Sequence, residues 1–166
     1  MTHSLGIPTL ETRRLTLRPP EQDDFLGYAS FYESERSVII GGPISADEAW
    51  RHFAANIGHW HFKGFGWFTV EADGVPVGSV GVHQGPRHPE PELGWLLYED
   101  GAGRGFATEA ARAVLDWARG SLGMTRIVSH IDVANEASQA VAERLGASTD
   151  GSRSAHDAAC EIWVHP

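Results

Sequence analysis

Hydrophobic and polar positions along the chain follow two periods, and their order predicts the elements. Within Leu10 to Arg18, Leu15 and Leu17 fall on one side and Arg14, Thr16 and Arg18 on the other. That is the alternation of a half-exposed strand, which Pro19-Pro20 ends. The period then lengthens. Phe25, Tyr28, Ala29 and Tyr32 form the apolar stripe of a first helix, with Glu21, Asp23 and Asp24 suited to its N-terminus. Ser45 with Glu48 spells a capping box ahead of a second helix carrying Ala49, Phe53, Ile57 and Trp60. Residues 67–72 and 75–83 read as strands joined by Asp73-Gly74, a strong hairpin signal. Gly78 and Gly81 in the second strand mark a bulge or a close backbone neighbour. Residues 84–91, with three prolines, read as an irregular loop.

The longest coherent pattern runs from Glu92 to Arg119. An apolar run at 93–98 is short enough for one buried strand, glycines follow at 101, 103 and 105, and apolar residues at 107, 110, 111, 114, 115 and 118 line one helical face. Beyond it, 126–133 reads as a strand. Asn135 caps a helix with Ala137, Ala140, Val141, Arg144 and Leu145 on one face, Gly146 stops it, and 147–152 and 159–165 make two last strands. The sum predicts one α/β domain over residues 1–166, a mixed sheet of about seven strands with about four helices.

Composition narrows the function classes. The chain has 166 residues, 42% of them hydrophobic, enough to bury roughly two thirds of its unfolded surface. Its first residues, MTHSLGIPTLETRR, lack a leader-like apolar core, and no stretch approaches the roughly 20 apolar residues of a membrane span. A cytoplasmic location without a membrane partner is expected. The single cysteine, Cys160, has no partner for a disulfide or a cysteine-based zinc cluster. A formal charge of −9 argues against a nucleic-acid partner and favours a cationic or neutral substrate. His59, Trp60 and His61 do not share a helix face, and no metal site is expected.

Strand, glycine turn and helix in succession can hold a phosphate, because first-turn amides are unpaired and carry partial positive charge. Two familiar phosphate loops are excluded by spelling. A Walker loop needs Lys-Ser/Thr where Phe106-Ala107 stands, and the dinucleotide fingerprint needs Gly where Thr108 stands. What remains is a pyrophosphate cradle over Gly103, Arg104, Gly105, Phe106, Ala107 and Thr108.

The run Glu92-Leu93-Gly94-Trp95-Leu96-Leu97, then Gly103-Arg104-Gly105-Phe106-Ala107-Thr108-Glu109-Ala110, resembles the acetyl-CoA-binding core of the GNAT superfamily of amine N-acetyltransferases. It is most similar to the branch that acetylates ribosomal-protein N-termini. Asn135-Glu136-Ala137-Ser138 through Glu143-Arg144-Leu145-Gly146 resembles the family's second motif. Three places depart from the pattern: Ala102, where the cradle has Gln or Arg; Ala142, where many members have a tyrosine acid; and Ala147, in place of Phe. The resemblance implies a mostly antiparallel sheet splayed between the fourth and fifth strands, with pantetheine bonded to the backbone of Leu96, Leu97 and Tyr98. It implies acetyl-CoA as cosubstrate without a metal, and direct transfer to an amine in a ternary complex. The leading acceptor is a protein N-terminus. The alternatives are a small-molecule amine, or a non-catalytic coenzyme A sensor that has lost turnover. A homodimer is compatible with it.

Such chemistry needs a polarised carbonyl, a base and a proton for the thiolate. The resemblance assigns the carbonyl to a backbone N–H near Leu96, cofactor contacts to Asn135 and Arg144, and the acceptor wall to Trp60 and Trp67. Arg104 is a phosphate partner or a solvated charge acting at long range. The base is Glu92, acting through water, or His83, whose ordinary pKa lies near 6.5. Ser138 either assists the departing sulfur or bonds its own helix backbone.

Overall fold

Among the described residues seven strands join in sequence order into one sheet: β1 (Leu10–Glu11), β2 (Leu15–Arg18), β3 (Trp67–Ala72), β4 (Val75–His83), β5 (Glu92–Leu97), β6 (Val128–Asp132) and β7 (Cys160–Val164). The computed structural model describes residues 6–166. Residues 1–5, the start of the stretch expected to lack a leader, lie outside the described residues. Only β5 and β6 run parallel; every other neighbouring pair is antiparallel. Among the described residues there are four α-helices, α1 (Phe25–Glu33), α2 (Ala46–Lys63), α3 (Phe106–Leu122) and α4 (Glu136–Arg144), with 3-10 turns at Gln22–Asp24, Glu35–Ile40 and Glu99–Gly101.

The strand total agrees with the sequence, but its partition differs at both ends. The expected first strand is two, because Thr12 turns the chain: its hydroxyl accepts from Leu15 N at 3.0 Å and its backbone N–H donates to Leu15 O at 2.9 Å. The expected strand at 147–152 is reduced to a bridge between Ser148 and Val164. There Thr149 Oγ1 accepts from Gly151 N and Asp150 Oδ1 from Ser152 N, local bonds that compete with a ladder. Asp24 is also more than a helix-start carboxylate. It is buried and holds the Arg18 guanidinium through two bonds of 2.8 Å.

The hairpin forms as expected, with Asp73 and Gly74 both at positive φ, 52° and 76°, as a tight turn between twisted strands requires. A Cβ on Gly78 would lie 2.3 Å from Leu96 O, and one on Gly81 2.3 Å from Gly66 O. The glycines therefore mark close backbone neighbours, while the register shift sits at Val70 and Glu71. Ser45 caps α2 by accepting from Glu48 N at 3.2 Å. One sheet face packs Phe68, Val80 and Leu93 against Val114 and Leu115 of α3; the other packs Leu96 against Tyr28 and Phe31 of α1 and Phe53 of α2.

The sheet opens where the sequence places the opening, after Glu92–Leu97, the fifth strand by this count. β5 and β6 are in register only at Glu92 and Val128, where Val128 N donates to Pro91 O at 3.0 Å. One step on, a side chain replaces the ladder: Ser129 Oγ donates to Leu93 O at 2.7 Å. Farther along, the Trp95 indole reaches across to α4, its Nε1 donating to Ser138 Oγ at 3.2 Å.

Candidate active site

Backbone polar groups alternate sides along a strand, so half of those on β5 face the opening. Pro91 O and Leu93 O accept bonds from the β6 side, and Leu97 O accepts from Arg36 at 3.1 Å. Tyr98 N instead donates to Val77 O at 2.8 Å, toward β4, and Leu96 O points the same way, against Gly78. By this parity the groups of Trp95 and Leu97 face the opening. Those of Leu96 and Tyr98 turn toward β4. The donor expected near Leu96 therefore moves one residue, and Tyr98 leaves the set of backbone contacts.

After β5 the glycine turn leads into the N-terminus of α3. Gly103 and Gly105 take left-handed φ of 72° and 77°, and Gly105 is the N-cap of α3 without a side-chain cap bond. The first-turn amides, with Ala107 and Thr108, border a groove of about 770 Å³ that continues past Leu97 to Ala137, Val141 and Arg144 of α4. The Phe106 ring is buried in the core and contributes only its backbone. Arg104 lies over that ring at 4.4 Å and Arg14 at 4.8 Å.

Arg14, just ahead of β2, is tied to this turn by contacts that the strand alternation does not reveal. Its Nη1 donates to Arg104 O at 2.9 Å and its Nε to Glu109 Oε2 at 2.7 Å, while Thr12 Oγ1 donates to Glu109 Oε1 at 2.7 Å. Burial disfavours the Glu109 carboxylate, but these bonds outweigh it and hold the carboxyl below its usual range. A negative charge in the first turn of α3 is thereby paired. The groove fits an elongated anionic ligand: first-turn amides of α3 at one end, Arg36 and Arg144 among its lining, and the outward-facing strand backbone of Trp95 and Leu97 beyond.

A second cavity, of about 620 Å³, opens from the α1 side of the sheet. His83 and Glu92 are register partners across β4 and β5, with Nε2 and Oε2 3.4 Å apart. The two candidate bases thus form one pair. Burial opposes ionisation of Glu92, yet contact with His83 and the fields of His83, His130 and His88 keep it below the usual carboxylate range. Trp67 stacks on His83 at 5.6 Å and 24°. Its indole lies over Gly94, where a Cβ would approach within 2.5 Å. Trp67 lines this cavity.

Trp60 does not line it. It is buried among core residues, donates Nε1 to Trp67 O at 2.8 Å and packs on Phe68 and Trp117, so its role is packing. His59, near the end of α2, is held by backbone on both sides of its ring. Its Nε2 accepts from Gln84 N at 3.0 Å and its Nδ1 faces Phe65 O at 2.6 Å, anchoring the following loop. That loop folds His88 back onto Glu92, with Nδ1 and Oε2 3.3 Å apart. His88 stacks on His156 at 4.5 Å and on His130 at 6.0 Å. No periodicity signals this cluster, because its members come from two loops and three strands.

The two cavities share Ile39, Ile40, Trp95, Leu96, Asn135 and Ser138. Asn135 Oδ1 caps α4 by accepting from Ser138 N at 3.1 Å. The Ser138 hydroxyl accepts from Trp95, which leaves its own hydrogen to donate. Ala142 is fully buried, so no acid stands at that position. Cys160 borders the 620 Å³ cavity, but burial and Asp157 push its thiol up to about 12.

The family model described as acetyltransferase (GNAT) domain matches residues 14–148. The uncharacterised N-acetyltransferase YoaA of Bacillus subtilis (strain 168) is 28% identical over 152 residues, covering 87% of this chain and 85% of that protein. The crystal structure of an acetyltransferase from Agrobacterium tumefaciens strain C58 is 40% identical with a TM-score of 0.92, covering 100% of this chain and 98% of that one. A ribosomal-protein-S5-alanine acetyltransferase from Vibrio fischeri shares the fold, with a TM-score of 0.71 at 18% identity over 95% of this chain and 94% of that one.

Proposed function

The chain belongs to the GNAT acetyltransferase family, and from that premise we propose that it acetylates a primary amine by direct attack, with a protein N-terminus as the leading acceptor. When bound, acetyl-CoA supplies the acetyl group as an activated thioester. Gly103 to Thr108, with Arg104 and Arg144, hold the diphosphate end. The outward-facing backbone of Leu97 pairs the pantetheine arm, and the Trp95 N–H is the nearest donor for a carbonyl in the opening. Glu92 attracts the acceptor ammonium and, with His83 beside it, draws off its proton through water. A carboxylate held below its usual range is a weak base, which suits relay better than direct abstraction. Ser138 donates its hydroxyl hydrogen toward the departing sulfur.

The observation that carries this reading is the meeting of the two cavities at Trp95, Leu96, Asn135 and Ser138. An amine entering from one side and a thioester from the other come together only there. A small amine is the second reading, favoured by the rim of Val38, Ile39 and Ile40, which narrows the acceptor side. No helix among the described residues is long and apolar enough to cross a membrane; a cytoplasmic location belongs to the same proposal.

The test is release of free coenzyme A from acetyl-CoA over a panel of N-terminal peptides and small amines, with products identified by mass spectrometry. Turnover on peptides blocked by prior N-terminal acetylation of the same peptides supports the leading reading. Turnover on small amines alone replaces it, and coenzyme binding without any turnover leaves a sensor.

A further inference from the structure

Glu92 faces two histidines with one oxygen. Its Oε2 lies 3.4 Å from His83 Nε2 and 3.3 Å from His88 Nδ1, and one donor atom from each of the three residues falls within 4.8 Å of the others. These separations are long for charge-assisted hydrogen bonds, which close to about 2.7–2.9 Å. They match ligands around a tetrahedral ion, where bonds of about 2.0–2.1 Å set neighbouring donor atoms roughly 3.3 Å apart. Both His83 Nδ1 and His88 Nδ1 are buried without a hydrogen-bond partner among the described residues. The His88 nitrogen is the very atom aimed at the carboxylate.

We infer that His83, His88 and Glu92 bind a divalent transition metal of the zinc class at the wall of the acceptor cavity, with the remaining coordination position open to that cavity. Two imidazoles and a carboxylate suit zinc, cobalt or nickel, whereas calcium and magnesium prefer oxygen ligands throughout. The ligands are held in place before any ion arrives. His83 and Glu92 are fixed by strand register, and the loop carrying His88 is tied down by Gln84, whose Nε2 donates to His88 O at 3.3 Å and Pro89 O at 3.2 Å. Asp132, Asp157 and His156 line the same cavity, and the net charge of −9 draws cations toward it.

Coordination occupies the lone pairs of Glu92. A loaded chain therefore loses its proton acceptor and obstructs the amine, so zinc inhibits competitively with the acceptor and leaves coenzyme binding intact. That consequence rests on the transferase reading; the binding of the ion does not.

The experiment uses the full chain, stripped with chelator and titrated with Co(II) alone, read by its visible d–d absorption. We expect one equivalent with the intense bands of low coordination, displaced by Zn(II). His88→Ala and Glu92→Gln each weaken binding at least about a hundredfold, since even loss of an outer-shell partner costs 10–100-fold. His61→Ala, at an exposed helix position, leaves it unchanged. Thermal unfolding of each variant confirms that it is folded. Octahedral, weak absorption, or binding that survives both His88→Ala and Glu92→Gln, overturns the site. Bound cobalt without any inhibition of turnover retains the site and removes its link to the acceptor.

Discussion

Replacing Glu92 by Gln keeps the shape of the side chain and removes its basicity, so turnover falls by about 10²–10⁴ while calorimetric coenzyme affinity is unchanged. A larger loss in His83→Ala, with Glu92→Gln silent, would reverse the order within the pair. Ser138 and Asn135 separate in the same way. The Asn135 side chain makes the helix cap, so Asn135→Ala costs about 1 kcal/mol in urea unfolding. Ser138→Ala removes the acceptor of the Trp95 indole N–H at about 1 kcal/mol, and beyond that slows turnover per folded molecule about ten- to a hundredfold at saturating coenzyme, the worth of one hydrogen bond to developing charge. At this scale the sequence was informative about placement where a residue sits in a motif: Glu92 starts β5, Gly105 precedes α3 and Asn135 caps α4. Arg14, His88 and His130 were not legible, because what gives each a role is a contact across the fold. Trp60 misled for the same reason: its helix stripe gives burial but not which side of the sheet the burial is on.

The strands between residues 67 and 132, the hairpin and the α3 stripe follow from periodicity and formed, whereas Thr12 splits the first strand and residues 147–152 keep only the Ser148–Val164 bridge. The 3-10 turn Glu35–Ile40 did not announce itself, although it supplies the rim of both cavities and the Arg36 bond to Leu97 O; its apolar run Val38-Ile39-Ile40 has no period, and all three residues are exposed. The cradle is tested by Gly105→Asp, which forces a side chain into a left-handed φ of 77°, a conformation costing roughly 1–2 kcal/mol, and adds a negative charge among the anion-binding amides. Coenzyme A should then no longer raise the melting temperature; an undiminished shift would remove the assignment. The hinge of the splay has its own signature. His165 Nε2 lies 2.8 Å from Ser129 Oγ, whose hydrogen goes to Leu93 O, so the histidine is the donor and its buried Nδ1 is bare. Burial, with Arg119 nearby, lowers its pKa to about 4. A histidine with a depressed folded pKa leaves the unfolded chain binding more protons between about pH 6.5 and 4. Stability is therefore full above that window and falls by about 3 kcal/mol as pH drops through it. His165→Gln should flatten this part of the pH–stability curve measured by urea unfolding, and an unchanged slope would place the acid sensitivity elsewhere.

On the scale of the whole molecule, a sheet that pairs strand to strand and then parts at β5 and β6 creates two cavities with one common boundary. Composition alone could not convey this, since an overall charge of −9 gives no hint of a groove bordered by first-turn helix amides and by Arg36 and Arg144. The account's central claim is that amine and thioester meet at that boundary without a covalent stop on the protein. Cys160 is the nucleophile that a two-step route would use, and its thiol, pushed up to about 12, is almost wholly protonated near neutral pH. The direct measurement is the initial rate with acetyl-CoA and an accepted amine varied together. Intersecting double-reciprocal lines are predicted, as a ternary complex requires. Parallel lines, which signal an acetylated enzyme between two half-reactions, would contradict the account.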